Sequence, residues 1–316
     1  MKERRLIGMV DEKIALRTAK AVILSLLVLA LFPALAVRVE PRPRFPRGLQ
    51  SPVPSSFARF EQMRVHYRSY GKGRDALVFV HGWTCDLTFW DRQAAFFQGR
   101  HRVILIDLPG HGESDKPHVD YTMDLFARAV DAVLKDAGVE RAVLVGHSMG
   151  TPVIRQYYRL YPRKVLGLVI VDGALRPFGN KEMVSKMLES LKGPKYSEAA
   201  GGMVTYMVQP VLDPAARERI KAVMLSAPQH VSASAMEGMM AEEIWKDDKV
   251  AVPALAVLSQ SSGWPPDNEA FYHGIIPNLD YQLWSGVSHF LMIDKPDEFN
   301  AAVAAFLKKQ SLLGPG

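Results

Sequence analysis

The sequence predicts an α/β fold with a mostly parallel, doubly wound sheet and a helical cap inserted before the penultimate strand. The first observation is that short, β-rich apolar runs alternate with segments of helical periodicity, as expected for strands buried on both faces. The second is that residues 176–249 interrupt this alternation with several predicted helices separated by Gly and Pro. We therefore expect a core formed by residues 57–175 and 250–316, and a cap formed by residues 176–249.

The individual elements follow from local pattern. The predicted strands are short and apolar, and several end directly before a Gly, His or Asp: Met63–Tyr70, Ala76–Val80, Arg102–Ile106, Ala142–Val145, Leu168–Val171, Ala254–Leu258 and Tyr281–Trp284. Three segments place apolar residues at helical spacing: Met123–Ala137, Thr151–Tyr161 and Glu298–Leu307. Ligand sites of open α/β sheets form at the carboxyl ends of the strands, so we expect the functional residues there.

The N-terminal segment, residues 1–36, has the composition of a secretory signal peptide. A basic stretch precedes the apolar run Ala21–Ala36, which ends in the small-x-small pattern Ala34-Leu35-Ala36. The run is shorter than the roughly 20 residues of a comfortable membrane span. We expect cleavage near Val37 and a periplasmic or secreted protein, with an uncleaved N-terminal anchor as the alternative and the only expected membrane contact.

Residues 37–56 are rich in Pro and Arg, and they predict an extended arm or linker because proline lacks the amide donor that helices and central strands need. The whole chain has 316 residues and a formal net charge of +6, without a long basic run, so nucleic-acid binding is not expected. Cys85 is the single cysteine, and no Cys/His cluster has zinc-site spacing. We expect no metal and no cofactor, and a small molecule as the partner.

The strongest chemical motif is Gly146-His147-Ser148-Met149-Gly150, a G-x-S-x-G pattern. It follows one predicted strand directly and opens a predicted helix, and this strand–turn–helix context is that of a nucleophile elbow. A serine hydroxyl needs a neighbouring base to become a nucleophile. His289 stands after the last predicted strand, so we expect Ser148 as the nucleophile and His289 as its base.

Two aspartates compete for the acid that orients the base. Asp172 immediately follows the predicted strand Leu168–Val171, whereas Asp267 lies beyond the loop after the strand Ala254–Leu258. Both preserve the order Ser, Asp, His along the chain. We favour Asp172 because it stands at a strand end, and we keep Asp267 as the alternative acid.

The remaining candidates concern the oxyanion and the substrate. The amide of Met149, next to the nucleophile, and that of Trp83, in the loop after the strand Ala76–Val80, are the expected oxyanion donors. Eight of the 14 methionines lie in the predicted cap. Flexible thioethers adapt to varied ligands, so we expect Met207 and Met239 to contact substrate, with packing inside the cap as the alternative.

Together these residues resemble the α/β-hydrolase superfamily, in particular its lid-bearing esterase and haloperoxidase-like branch. The resemblance spans roughly Phe60 to Leu307 and rests on four segments: His81-Gly82-Trp83, Asp107–Asp115, Gly146–Gly150 and Gly286–Phe290. It implies that Asp107–Asp115 shapes the floor of the site. The family often has a G-x-x-D turn after the strand matching Ala254–Leu258, and this chain has the longer segment Ser259–Asp267 instead, which leaves the acid open.

The resemblance and the expected triad imply a serine hydrolase that cleaves a small or medium carboxylic ester through an acyl-enzyme on Ser148. A lactonase, a thioesterase or a C–C bond hydrolase would use the same triad. A ligand-binding protein built on a hydrolase fold is the alternative from another class. A serine at this position argues against haloalkane dehalogenase and epoxide hydrolase chemistry, for which relatives use Asp.

Overall fold

The computed structural model describes residues 55–177 and 179–314, and its centre is one eight-stranded sheet. The strands are β1 Ser56–Phe60, β2 Met63–Tyr70, β3 Asp75–Val80, β4 Val103–Ile106, β5 Arg141–His147, β6 Val165–Val171, β7 Ala254–Ser259 and β8 Leu279–Trp284. Their order is β1-β2-β4-β3-β5-β6-β7-β8. The β1–β2 and β2–β4 pairs are antiparallel and the other pairs are parallel, which confirms the predicted mostly parallel sheet.

The first strand was missed by the sequence analysis, which assigned its first residue to the arm. β1 pairs antiparallel with β2 and places Ala58 opposite Val65. Its pattern alternates, with Ala58 and Phe60 buried and Phe57 and Arg59 exposed. Five residues directly after a Pro-rich stretch are too few for a clear periodicity. The predicted signal peptide, and all but the last two residues of the predicted arm, lie outside the described residues.

Helices fill the connections between the parallel strands. They are α1 Asp91–Phe97, α2 Met123–Asp136, α3 Gly150–Leu160, α4 Lys181–Lys192, α5 Tyr196–Val208, α6 Pro214–Leu225, α7 Gln229–Met240, α8 Asn268–Ile275, α9 Leu291–Asp294 and α10 Pro296–Lys309. The three helices predicted individually correspond to α2, α3 and α10, whereas α1, α8 and α9 were not predicted. No helix in the described part of the chain is long and apolar enough to cross a bilayer.

The cap lies between β6 and β7, as predicted, and contains α4 to α7 followed by a 3₁₀ turn at Glu242–Ile244. Its two ends are tied to α3 by one side chain. The buried guanidinium of Arg155 donates to the carbonyl oxygen of Leu175, at 3.0 Å, and to that of Lys246. The helix that follows the expected nucleophile therefore also anchors the start and the end of the cap.

Candidate active site

Ser148 occupies a sharp turn between β5 and α3. Its backbone is left-handed, with φ of +51°, and its amide donates to the Val171 carbonyl at 3.0 Å. The flanking glycines are required by space, because a Cβ on Gly146 would lie 2.5 Å from the Gly150 carbonyl oxygen. A Cβ on Gly150 would lie 2.5 Å from the carbonyl oxygen of Val80 on a neighbouring strand. The G-x-S-x-G spacing thus reflects how closely the turn packs against the sheet.

The structure places Asp172 against His289. Asp172 directly follows β6, and His289 lies in the loop between β8 and α9. The distance between His289 Nδ1 and Asp172 Oδ2 is 2.6 Å, with the aspartate side chain fully buried and the imidazole 22% exposed. Because Nδ1 faces the carboxylate, the other ring nitrogen, Nε2, is available to a second partner. Ser148 and His289 line the same cavity.

Asp267, the alternative acid, lies elsewhere. Its side chain is 68% exposed, and its two carboxylate oxygens accept hydrogen bonds from the Arg176 guanidinium at 2.9 and 2.7 Å. The hydrogen bonds from Arg176 lower the pKa of Asp267. The structure therefore brings Asp172, and not Asp267, to the imidazole of His289.

Three further groups donate to the Asp172 carboxylate. They are the Ser259 amide at 2.6 Å, the Ser262 hydroxyl, and the Trp264 indole Nε1 at 3.3 Å. With His289 these make four donors, which matches the acceptor capacity of an ionised carboxylate. Such saturation is what a fully buried charge requires. Ser262 and Trp264 were not predicted as site residues, and the only available signal was the unusual length of the loop that carries them.

The two expected oxyanion donors belong to residues near Ser148, Met149 next to it in the chain and Trp83 in a loop that packs against it. The residues Trp83 and Met149 are buried, at 4% and 0% exposure, and no hydrogen bond within residues 55–177 and 179–314 uses the amide of either one. Buried amides without a partner are rare in proteins, so these two are suited to bind a ligand oxygen. The loop of Trp83 packs against the nucleophile, because a Cβ on Gly82 would lie 3.1 Å from the Ser148 Cβ.

The ring of Trp83 points to the cap while its amide stays in the core. Its indole Nε1 donates to the Ser232 carbonyl on α7 at 2.8 Å. The next residue, Thr84, has a left-handed backbone with φ of +54°, which is unusual for a β-branched side chain. This loop is therefore held in a strained conformation and is anchored from above by the cap.

Asp107, directly after β4, is the centre of a buried hydrogen-bond network. Its buried carboxylate accepts hydrogen bonds from the amides of Leu87 and Glu113, at 2.7 and 2.9 Å, and from His66 Nδ1 at 2.7 Å. Burial alone would raise the pKa of Asp107, but the hydrogen bond from His66 and the other donors outweigh it and lower the pKa. Asp107 thus connects three chain segments and does not line the cavity. The expectation that Asp107–Asp115 shapes the floor of the site stays a prediction, since none of these residues is among the described residues that line the cavity.

Three of the buried histidines, His81, His111 and His147, have lowered pKa values and do not line the cavity. His81 Nδ1 donates to the Gly82 carbonyl at 2.8 Å, and burial lowers the pKa of His81. Burial also lowers the pKa of His111 to about 3, and burial together with the adjacent His289 takes the pKa of His147 well below its usual value. All three are neutral near pH 7. His289 is the one imidazole among the described residues that line the cavity.

A cavity of about 540 Å³ separates the strand edge from the cap. Its walls are mostly apolar: Trp83, Ser148, Pro152, Asp172, Gly173, Ala174, Met187, Met203, Tyr206, Met207, Gln209, Pro210, Met236, Met239, Trp245, Ser261, Ser262, Trp264 and His289. The two methionines expected to contact substrate, Met207 and Met239, both line it. The described lining includes no Lys and no Arg, and such a cavity suits an uncharged small molecule.

A family model of the α/β hydrolase fold matches residues 75–193. The 2-hydroxy-6-oxononadienedioate/2-hydroxy-6-oxononatrienedioate hydrolase of Burkholderia vietnamiensis is 28% identical over 268 residues, covering 78% of this chain and 92% of that protein.

Two solved structures extend the comparison. An N-acyl homoserine lactone degrading enzyme is 26% identical, with a TM-score of 0.66 over 79% of this chain and 100% of that chain. A thermophilic esterase from Thermogutta terrifontis has a TM-score of 0.71 at 24% identity, over 82% of this chain and 99% of that chain. The second likeness is one of fold, and both structures are matched over nearly their whole length.

Proposed function

Because the chain belongs to the α/β-hydrolase superfamily, we propose that it is a serine hydrolase that cleaves uncharged carboxylic esters through an acyl-enzyme on Ser148. One observation carries this proposal. His289 and Asp172 lie 2.6 Å apart beside a cavity that Ser148 also lines. A nucleophile, a base and an acid that share one cavity are what acyl transfer requires.

In this mechanism His289 Nε2 takes the hydroxyl proton of Ser148 while the serine oxygen attacks the ester carbonyl. The amides of Trp83 and Met149 stabilise the oxyanion of the tetrahedral intermediate, and one such donor lowers the barrier by about 3 kcal/mol. His289 then protonates the leaving alcohol and activates the water that hydrolyses the acyl-enzyme. Asp172 holds the imidazole in the required tautomer and stabilises its protonated form.

The lining of the cavity favours an uncharged, apolar substrate. The hydrolase of Burkholderia vietnamiensis is named for dioates, which carry two carboxylates. Burying a carboxylate costs much free energy unless its charge is both paired and hydrogen-bonded. The described cavity lining offers neither Lys nor Arg, so we place ester hydrolysis ahead of C–C bond cleavage of a dicarboxylate.

Lactone hydrolysis is the second candidate. A lactone is an uncharged internal ester, and the same nucleophile and oxyanion donors would open it. The 26% identity to an N-acyl homoserine lactone degrading enzyme, over 79% of this chain, favours this candidate. Thioesters are also uncharged acyl donors and belong in the same comparison.

A substrate panel tests the proposal. It contains nitrophenyl esters of increasing acyl length, lactones, thioesters and a dicarboxylate with a cleavable C–C bond. We expect the highest kcat/KM on a neutral ester, retained by the control variant Ser185→Ala on α4 and lost in Ser148→Ala. Turnover of the dicarboxylate alone would contradict the proposal. Failure to turn over any of them would favour the ligand-binding alternative.

We also propose that the protein is exported and begins near Val37 after loss of residues 1–36. The support is the basic, apolar and small-residue pattern of that segment. Intact-mass measurement on protein from the native host tests this. A full-length mass in the soluble cytoplasmic fraction would contradict it, and a full-length mass in the membrane fraction would favour the uncleaved anchor.

A further inference from the structure

The segment Ser259–Trp264, which we name the clamp, connects the acid to the loop that carries the base. The Ser259 amide donates to Asp172 Oδ1 at 2.6 Å. The hydroxyls of Ser259 and Ser261 both donate to the Val287 carbonyl, at 2.7 and 2.9 Å. Val287 stands two residues before the base. The clamp therefore fixes both partners of the Asp–His pair, at the position where the family often places its acid.

Trp264 is the largest of the three clamp residues that line the cavity. Its indole Nε1 lies 3.3 Å from Asp172 Oδ1, and its half-buried side chain lines the cavity. A distance of 3.3 Å exceeds the usual 2.7–3.2 Å range for an N–H···O hydrogen bond. The Ser259 amide, by contrast, is 2.6 Å from the same oxygen. Trp264 thus makes the weakest of the four hydrogen bonds to the acid.

We propose that Trp264 is a positioning residue that couples filling of the cavity to the orientation of the Asp172–His289 pair. A substrate with an acyl chain long enough to fill the cavity packs on the indole ring and restricts its motion. The N–H group is then held towards Asp172 Oδ1 and the carboxylate is fixed against the imidazole. A short acyl chain leaves the ring free. This inference rests on the proposed serine hydrolase function.

Three variants separate this role from simple packing. Trp264→Phe keeps an aromatic wall and removes the N–H donor. Ser262→Ala removes the hydroxyl that donates to Asp172 Oδ2 and takes away little of the wall. Trp284→Phe is the matched control, because Trp284 is also half-buried and donates through Nε1 at 3.2 Å, to Gln282, but does not line the cavity.

The kinetic test compares a hexanoate with an acetate nitrophenyl ester. Trp264→Phe should lower kcat on the hexanoate by about tenfold, the effect expected for one hydrogen bond to a charged group, with KM unchanged. The same variant should lower kcat on the acetate by less than about twofold, since the short ester does not engage the ring. Ser262→Ala should lower kcat on both esters by the same factor, and Trp284→Phe should change neither. Equal losses on both esters in Trp264→Phe, or a change in KM alone, would overturn the proposal.

A second readout does not depend on turnover. The His289 Nδ1 proton, observed by NMR, should exchange with water more slowly when 1-hexanol is added, and ethanol should have no such effect. In Trp264→Phe the hexanol effect should disappear, whereas in Trp284→Phe it should remain. If 1-hexanol slows exchange of the His289 Nδ1 proton in wild-type protein that hydrolyses no ester, the proposed hydrolase function is wrong but the proposed coupling stands. If the wild-type protein hydrolyses esters and hexanol slows the exchange equally in wild type and in Trp264→Phe, the proposed coupling is wrong and the proposed function stands.

Discussion

The strand edge of the core and the facing cap contribute to one cavity in different ways. The edge is fixed by hydrogen bonds and by strained backbone, with Thr84, Ser148 and Asp172 all at positive φ. The cap contributes mainly thioethers, from Met187, Met203, Met207, Met236 and Met239. From this difference we propose that the core determines the reaction and that the cap determines which substrate reaches it.

Half of the strained non-glycine positions lie at the proposed active site. Among the described residues, six non-glycine residues have positive φ, and the three outside the site are Glu61, Ser311 and Leu313. Each strained residue costs on the order of 1–3 kcal/mol and persists only where its surroundings hold it in place. Methionine side chains, in contrast, change rotamer readily and adapt to different ligands. Substitutions in the rigid edge and in the adaptable cap are therefore expected to have different effects.

The largest effect is expected from the nucleophile and the base. Ser148→Ala and His289→Ala should each lower kcat on the preferred ester by a factor on the order of 10⁶, because a triad acts as a unit. For the same reason the double variant should lose no more than either single variant. Met207→Ala in the cap should retain kcat within about tenfold. Losses that multiply in the double variant would show that the two residues act in separate steps.

The acid gives the next largest effect. Asp172→Asn should lower kcat by about 10⁴-fold, because an amide can hold the imidazole in the wrong tautomer. Asp267→Asn is the matched variant and should lower kcat by less than about threefold, since it removes only an exposed ion pair with Arg176. Steady-state kinetics on the best ester measures both. The opposite ranking would assign the acid to Asp267.

Because three buried histidines have lowered pKa values, we expect the free energy of unfolding to depend on pH. The folded protein keeps His81, His111 and His147 neutral, whereas the unfolded chain binds a proton at each below about pH 6.5. The free energy of unfolding should therefore fall as pH drops from 6.5, by up to about 1.4 kcal/mol per pH unit for each histidine. The contribution of His111 to this fall continues until the pH approaches its folded pKa of about 3.

Urea unfolding at pH 7.5, 6.5 and 5.5 measures this dependence. His111→Gln should reduce the slope of the free energy of unfolding against pH by the contribution of about one proton. A stability that is constant between pH 7.5 and 5.5 would show that these imidazoles are not held neutral by the fold.

The smallest effect is expected in the cap. Met207→Ala and Met239→Ala should change the ratio of kcat/KM for two acyl lengths by severalfold, because each enlarges the apolar cavity. Met224→Ala is the matched variant, since Met224 is buried in the cap but does not line the cavity. It should lower the free energy of unfolding by about 2–5 kcal/mol and leave the ratio unchanged. An unchanged ratio in all three would favour packing as the only role of these methionines.

What the sequence could predict depended on how local the determining contacts were. The elbow was predictable because strand, turn and helix signals adjoin Ser148. The acid stayed open because Asp172 and Asp267 both follow strands, and the contact that separates them joins residues 117 positions apart in the chain. Ser262 and Trp264 were missed for the same reason, since the hydrogen bonds that bring them to Asp172 span 90 and 92 positions.

The division between a catalytic edge and a selective cap depends first on Ser148 being the activated nucleophile. Labelling with a fluorophosphonate probe, followed by peptide mapping by mass spectrometry, tests this directly, because the probe reacts with a serine that a neighbouring base has activated. We predict one adduct on the peptide that contains Ser148, and none in the folded Ser148→Ala variant. An adduct on a different serine, or no adduct on folded wild-type protein, would contradict the account.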